Sequence, residues 1–249
     1  MYRTHDNPDP DRMRKLAAFI NNFGYSIHLK DDEVHPKELQ KLLAKLEETP
    51  EEDLISRLTL RSMKQAKYTT ECTGHFGLAA KYYCHFTSPI RRYPDLQIHR
   101  IIKDVLRGRM NGTREEHYRS ILPEVARQSS ERERKADEAE RETIKLKKVE
   151  YMSHHLWEEF DGVISGVTAW GIYVELPNTV EGLVRTASLQ GDYFEYNESA
   201  CAMVGVHTGK SYAIGQKVKV QVTGADKMTR TIDFELVEGI RSTEEYGEG

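Results

Sequence analysis

The chain has 249 residues, more than one ordinary compact domain needs and about right for two. Charged residues make up 31% and hydrophobic ones 38%, which suits a soluble protein, and the formal net charge of -4 offers no global attraction to nucleic acid, so such a site would need local clusters of Lys and Arg. No apolar run approaches the roughly 18 residues of a membrane span, MYRTHDNPDPDR lacks a signal-peptide core, and Cys72, Cys84 and Cys201 show no CxxC spacing; a reducing cytoplasm is the expected compartment.

The first part reads as helix. Asp9 is a good N-cap before Pro10, Met13, Leu16, Ala17 and Ile20 share a face, and Gly24 is placed to end the helix. Pro36 opens a second helix with the stripe Leu39, Leu42, Leu43 and Leu46. Thr49-Pro50-Glu51-Glu52 has capping-box spacing and should start a third, carrying Leu54, Ile55 and Leu58. A Gly-containing passage from Thr73 to Ala80 leads to HFTSPIRRYPD, and helical pattern resumes over Leu96 to Leu106 and, past Asn111-Gly112, from about Arg114. RQSSERERKADEAERETIKLKKVEYM is a solvated helix laced with charge pairs on one reading; on the other, Arg132, Arg134 and Lys135 form an RNA-facing edge.

Near Trp157 the period changes to two. FDGVISGV, GIYVEL, EGLVR, KVKVQV and TIDFEL are short alternating stretches, with Val218, Val220 and Val222 facing one way and Ile232, Phe234 and Leu236 doing the same. Five such strands suggest a small closed barrel. Trp170 and Tyr173 lie on either side of a Gly-Ile step; they either stand on the outer surface as a stacking platform, or one of them fills the barrel.

In HFTSPIRRYPD, Pro89 and Pro94 stiffen the backbone around Arg91 and Arg92. A guanidinium fork suits phosphate, although adjacent arginines equally make surface ion pairs. The hydroxyls of Thr87 and Ser88 are placed either to cap the helix beginning near Asp95 or to touch the same phosphate.

The barrel stretch FDGVISGVTAWGIYVELP...EGLVR...GQKVKVQVTGADKMTRTIDFEL resembles the S1 RNA-binding domain, an OB-fold. The resemblance implies an RNA face at Trp170, Tyr173, Arg185, Asp226 and Arg230, with Arg185 where many members carry His and Trp170 where Phe is usual. GDYFEYNESACAMVGVHTGKSYAIG then reads as an inserted hairpin, Tyr193 to Tyr196 against Ala202 to Val206. RSMKQAKYTTECTGHFGLAAKYYCHFTSPIRRYPDLQIHR, with YRTHDNPDP before it and the barrel after it, resembles the C-terminal part of the catalytic domain of the ribonuclease II/ribonuclease R family, nearer to the ribonuclease R branch.

The family resemblance implies a hydrolytic, processive 3′-5′ exoribonuclease that releases nucleoside 5′-monophosphates, with Mg²⁺ as cofactor and single-stranded RNA as partner. It places Arg91 on the phosphate near the scissile bond. The family's cluster of metal-binding aspartates has no counterpart here: Asp31-Asp32-Glu33 and Glu51, Glu52 and Asp53 read as helix-start charges. The expected architecture is therefore α+β and multidomain, with the helical C-terminal part of an RNB domain at 1–152, a five-stranded OB-fold S1 barrel at 153–240 and a tail at 241–249. The Mg²⁺ ligands, and the rest of the catalytic domain as a further partner, lie mostly outside this chain. A non-catalytic RNA-binding module or scaffold is the alternative.

Overall fold

The computed structural model describes residues 1–30, 33–49, 51–197 and 200–237. The acidic pair Asp31-Asp32 and the tail at 241–249 lie outside the described residues. The chain forms two compact units, residues 1–139 and 140 onward.

The first unit begins with β1 (Tyr2–Thr4) and α1 (Pro10–Asn21). Asp9 caps α1 as expected, its Oδ1 accepting the N–H groups of Asp11 and Arg12 at 2.9 and 3.3 Å, and Gly24 turns the chain afterwards at φ +79. A short β2–β3 ribbon (Leu29–Lys30, Glu33–Val34) leads to α2 (Pro36–Leu46) and α3 (Glu52–Ser62). Met13, Leu16, Ile20, Val34, Leu39, Leu42, Leu46, Ile55 and Phe76 form one buried cluster, so the stripes read from the sequence are its core faces.

The expected capping box at α3 does not form. Thr49 Oγ1 turns back to donate to the Leu46 carbonyl at 2.7 Å, and the Glu52 carboxylate accepts the Glu48 N–H at 2.8 Å. The hydroxyl thus serves the end of α2 instead of the start of α3.

β4 (Lys67–Thr69) pairs antiparallel with β1, and α4 (Tyr93–Leu106) and α5 (Gly112–Met152) follow. α4 starts at Tyr93 with Pro94 in its first turn, earlier than the Leu96 periodicity indicated, because the apolar pattern begins only after that turn. The charged stretch of α5 is mostly exposed and carries charge pairs, among them Arg127–Glu131 and Lys147–Glu150.

The second unit is the expected closed five-stranded barrel. Its strands β5 (Glu159–Thr168), β6 (Gly171–Glu175), β7 (Glu181–Arg185), β11 (Lys217–Asp226) and β12 (Thr231–Leu236) run in the order β11-β12-β7-β6-β5. Only β12 and β7 pair in parallel. The alternation holds: Val218, Val220, Val222, Ile232 and Phe234 are buried, and Leu236 packs against them. The insertion is larger than a hairpin. β8 (Phe194–Asn197) pairs with β9 (Ala202–Gly205), which also pairs with β10 (Ser211–Ala213).

The packing boundary between the two units lies inside α5, at 139/140. Val149 and Met152 are 1% and 0% exposed in the barrel's core, so the last turns of the helix belong to the barrel. Met152→Ala should therefore cost the second unit about 2–5 kcal/mol, measured by denaturant unfolding of residues 140–249. A loss under about 0.5 kcal/mol, the usual range for surface positions, would place α5 outside the folding unit.

Candidate functional site

In the first unit, HFTSPIRRYPD forms a closed turn on the N-terminus of α4. The Ser88 carbonyl accepts the N–H groups of Arg91 and Arg92 at 3.3 and 2.9 Å, and Ile90 stands fully exposed at the tip. Asp95, 0% exposed, reaches back from the first turn of α4: its Oδ2 accepts the Ser88 N–H and an Arg92 Nη2 hydrogen, both at 2.8 Å. The two adjacent arginines therefore have different work. Arg92 is tied to a buried carboxylate, whereas Arg91 is exposed, with no ion pair among the described residues. Arg92 Nε and Asp95 Oδ1 are buried without a hydrogen-bond partner there. Neither Thr87 nor Ser88 caps α4 through its hydroxyl; Arg92 occupies the N-cap position with no side-chain bond.

A file of rings backs this turn. His5, His75, Tyr83, His85 and Tyr68 follow one another with centroids 5.1, 5.2, 5.8 and 5.6 Å apart. The Arg3 guanidinium lies 4.6 Å over the Tyr68 ring. Burial, then the Arg92 and Arg3 charges, push the His85 pKa below its ordinary value, and burial raises that of Tyr68. These effects favour the uncharged His85 ring, and its Nδ1 lies 2.9 Å from the Tyr68 hydroxyl.

In the second unit, Gly171 begins β6 at φ +154, and a Cβ there would sit 2.2 Å from the Val184 carbonyl oxygen. Only glycine allows β6 and β7 to approach so closely. The Thr186 N–H bonds the Trp170 carbonyl at 3.0 Å, fixing the turn before β6. Trp170 is 62% exposed, and its Nε1–H donates to Tyr173 Oη at 3.2 Å. The rings therefore stand on the outside of the barrel, whose core is aliphatic around Phe234. Arg185, paired opposite Gly171, donates from Nη2 to Asp233 Oδ1 at 3.1 Å and stays largely exposed.

Asp226 and Arg230, expected on the same face, are both engaged by groups of the chain itself. Asp226 Oδ1 accepts the Met228 and Thr229 N–H groups at 2.7 and 3.4 Å, bonds that hold its carboxyl pKa below the usual range. Arg230 donates to Glu142 of α5. The structure thus joins Trp170 to Tyr173 directly and places Arg185 beside Asp233, while Asp226 closes a turn and Arg230 serves a carboxylate. This outer face offers flat rings and a cation, the elements that stack unpaired bases and meet phosphates. The turn offers a guanidinium fork but no water-activating group. Among the described residues no group of three or more His, Cys, Asp or Glu is placed to hold a metal ion.

Two family models match the chain: an RNB domain over residues 1–108 and an S1 RNA binding domain over residues 157–236. Ribonuclease R 1 of Lactococcus lactis is 45% identical over 237 residues, which is 95% of this chain and 29% of that protein. Ribonuclease R of Aquifex aeolicus is 42% identical over 245 residues, 98% of this chain and 34% of that protein. Over nearly its whole length the chain is similar to ribonuclease R. It spans about a third of the length of these curated relatives. Mycoplasma genitalium RNase R, solved in complex with ribose methylated single-stranded RNA, superposes with a TM-score of 0.87 at 24% identity, over 95% of this chain and 37% of that one. At that identity the likeness is one of fold. The arginine turn lies within the RNB match and the ring face within the S1 match.

Sequence reasoning missed Asp95, Asp233 and Glu142, the carboxylates that decide what each arginine does. Asp95 carried a readable signal, three residues after Arg92 in a first helical turn. The other two meet their partners only through barrel closure and helix packing, which no local pattern reports. Removing Arg92 strands the buried Asp95 carboxylate, so Arg92→Ala should destabilise the protein by about 3 kcal/mol, while Arg91→Ala should stay within about 0.5 kcal/mol of wild type. Equal losses in denaturant unfolding would contradict the division of labour.

Proposed function

We propose that this chain is the RNA-guiding part of a hydrolytic, processive 3′-5′ exoribonuclease that releases nucleoside 5′-monophosphates. The barrel holds single-stranded RNA by stacking on Trp170 and Tyr173 and by Arg185, and Arg91 meets the phosphate being cleaved. The hydrogen-bonded Trp170–Tyr173 pair on the outside of the barrel, with Arg185 on the adjacent strand, carries this reading. Thr87 and Ser88, on the same turn as Arg91, are the further candidates for phosphate contact. Mg²⁺ would supply the activated water of such a reaction. The acidic groups described here do not fit that ion, so its ligands belong largely outside this chain, and no step is assigned to it.

A second feature supports a larger catalytic domain. α4 buries Asp95, Gln97 and Asp104 and leaves Ile102, Val105 and Leu106 at 40%, 55% and 79% exposure, the reverse of an ordinary amphipathic helix. The remainder of the RNB domain is the natural cover for that face. The cysteines form no disulfide, which fits a cytoplasmic protein.

With 5′-labelled and 3′-labelled RNA, the chain alone should bind but release no nucleotides in a Mg²⁺-dependent way. Processive release abolished by a chelator would mean that it holds a complete metal site. If supplying the remainder of the enzyme restores no turnover, the non-catalytic RNA-binding reading takes over.

Stacking contributes about 1–3 kcal/mol per base, so Trp170→Ala in residues 140–249 should weaken RNA binding on the order of tenfold without changing its salt dependence. Arg185→Gln should instead flatten the salt slope by about 0.7. Unfolding of the barrel by Trp170→Ala would show the ring to be structural.

A further inference from the structure

Arg230 occupies the position that the S1 resemblance assigns to RNA, yet a carboxylate of the same chain already sits on it. The residue follows the turn closed by Asp226 and adopts φ +55, a conformation that restricts where its side chain starts. Its guanidinium donates to Glu142, the two side chains being 41% and 46% exposed. Glu142 is presented by a fixed element. Two turns further along α5, Val149 and Met152 are buried in the barrel core, Lys148 Nζ donates to the Thr179 carbonyl, and Lys227 lies 3.8 Å from Glu150.

A carboxylate and the two non-bridging oxygens of a phosphodiester present the same acceptor geometry to a guanidinium fork. Both are anions, so one arginine joins RNA fully only by leaving the other. We propose that Glu142 is an internal competitor for RNA phosphate at Arg230, and that it sets the affinity of the barrel for single-stranded RNA. The proposal rests on the reading of the barrel as an RNA-binding module. Glu142 sits on a helix of unit two, not among the rings or strands of the RNA face, and nothing in the barrel motif marks it. The pair is solvent-exposed, and exposed ion pairs are weak, so its removal should change affinity about two- to fivefold. A phosphate gained by Arg230 should steepen the salt slope by about 0.7.

The test is a titration of the whole chain with fluorescently labelled oligouridylate at several salt concentrations, using wild type, Glu142→Gln, Arg230→Gln, the double variant and Trp170→Ala. Glu142→Gln should bind about two- to fivefold tighter with a steeper slope, and the double variant should lose both gains. Arg230→Gln should then flatten the slope more in the Glu142→Gln background than alone. Glu142→Ala should act in the same direction as Glu142→Gln, and thermal melts should show both variants folded. A gain of equal size with and without Arg230 would mean plain charge repulsion and overturn the proposal. So would a large loss from Arg230→Gln alone, since Arg230 would then reach RNA despite Glu142. Weakened binding by Trp170→Ala beside an unchanged Glu142→Gln sinks the competitor assignment alone, whereas no effect of Trp170→Ala sinks the RNA-face reading itself.

Discussion

One buried carboxylate organises the arginine turn. Asp95 has no exposure to solvent, and a charge in that position is costly unless it is hydrogen-bonded and paired. The Ser88 N–H and the Arg92 guanidinium meet that demand together. Pro89 and Pro94 narrow the backbone choices on either side, so the segment between them has little freedom to rearrange. Arg91 is left outside the pair, on a stiff turn with its charge undiminished. Under the proposed RNA role, a free guanidinium beside a restrained one is more selective than two mobile arginines, because only the free one is available to an incoming phosphate.

The barrel meets a comparable constraint by different means. Gly171 lets β6 approach β7 to a distance no side chain permits, and that approach orders the turn carrying Trp170. The rings can stay outside because the aliphatic core and Phe234 already fill the interior. The end of α5 completes this core through Val149 and Met152 and also brings glutamates against the β11–β12 turn. Stability and charge regulation are thus coupled through one helix.

Much of this was legible in the sequence. The stripes of α1 and α2, the Asp9 cap and the strand alternation follow from local geometry, and local geometry is what residue spacing reports. The five barrel strands were readable for the same reason, and the resemblance named Trp170, Tyr173 and Arg185, which the structure places on the outer surface of the barrel. What escaped depends on pairing between distant segments. The Thr49 hydroxyl had two acceptable partners, and the choice of the Leu46 carbonyl was made by the loop between helices. The third strand of the insertion is a short segment, Ser211–Ala213, with no period of its own to detect. The resemblance put Arg230 on the RNA face, and Glu142, 88 residues away in sequence, gives no local sign that it will pair with it.

The proposed division of labour has Arg91 act on the reacting phosphate while Arg92 holds the turn. It is tested most directly in a complete ribonuclease R carrying Arg91→Ala, with RNA affinity and single-turnover cleavage measured on the same substrate. If Arg91 meets charge that builds in the transition state, cleavage should fall far more than affinity, and Arg91→Lys should restore little because a point charge does not reproduce the fork. Equal falls in affinity and cleavage, or the same selective loss from a folded Arg92→Lys variant, would contradict the assignment.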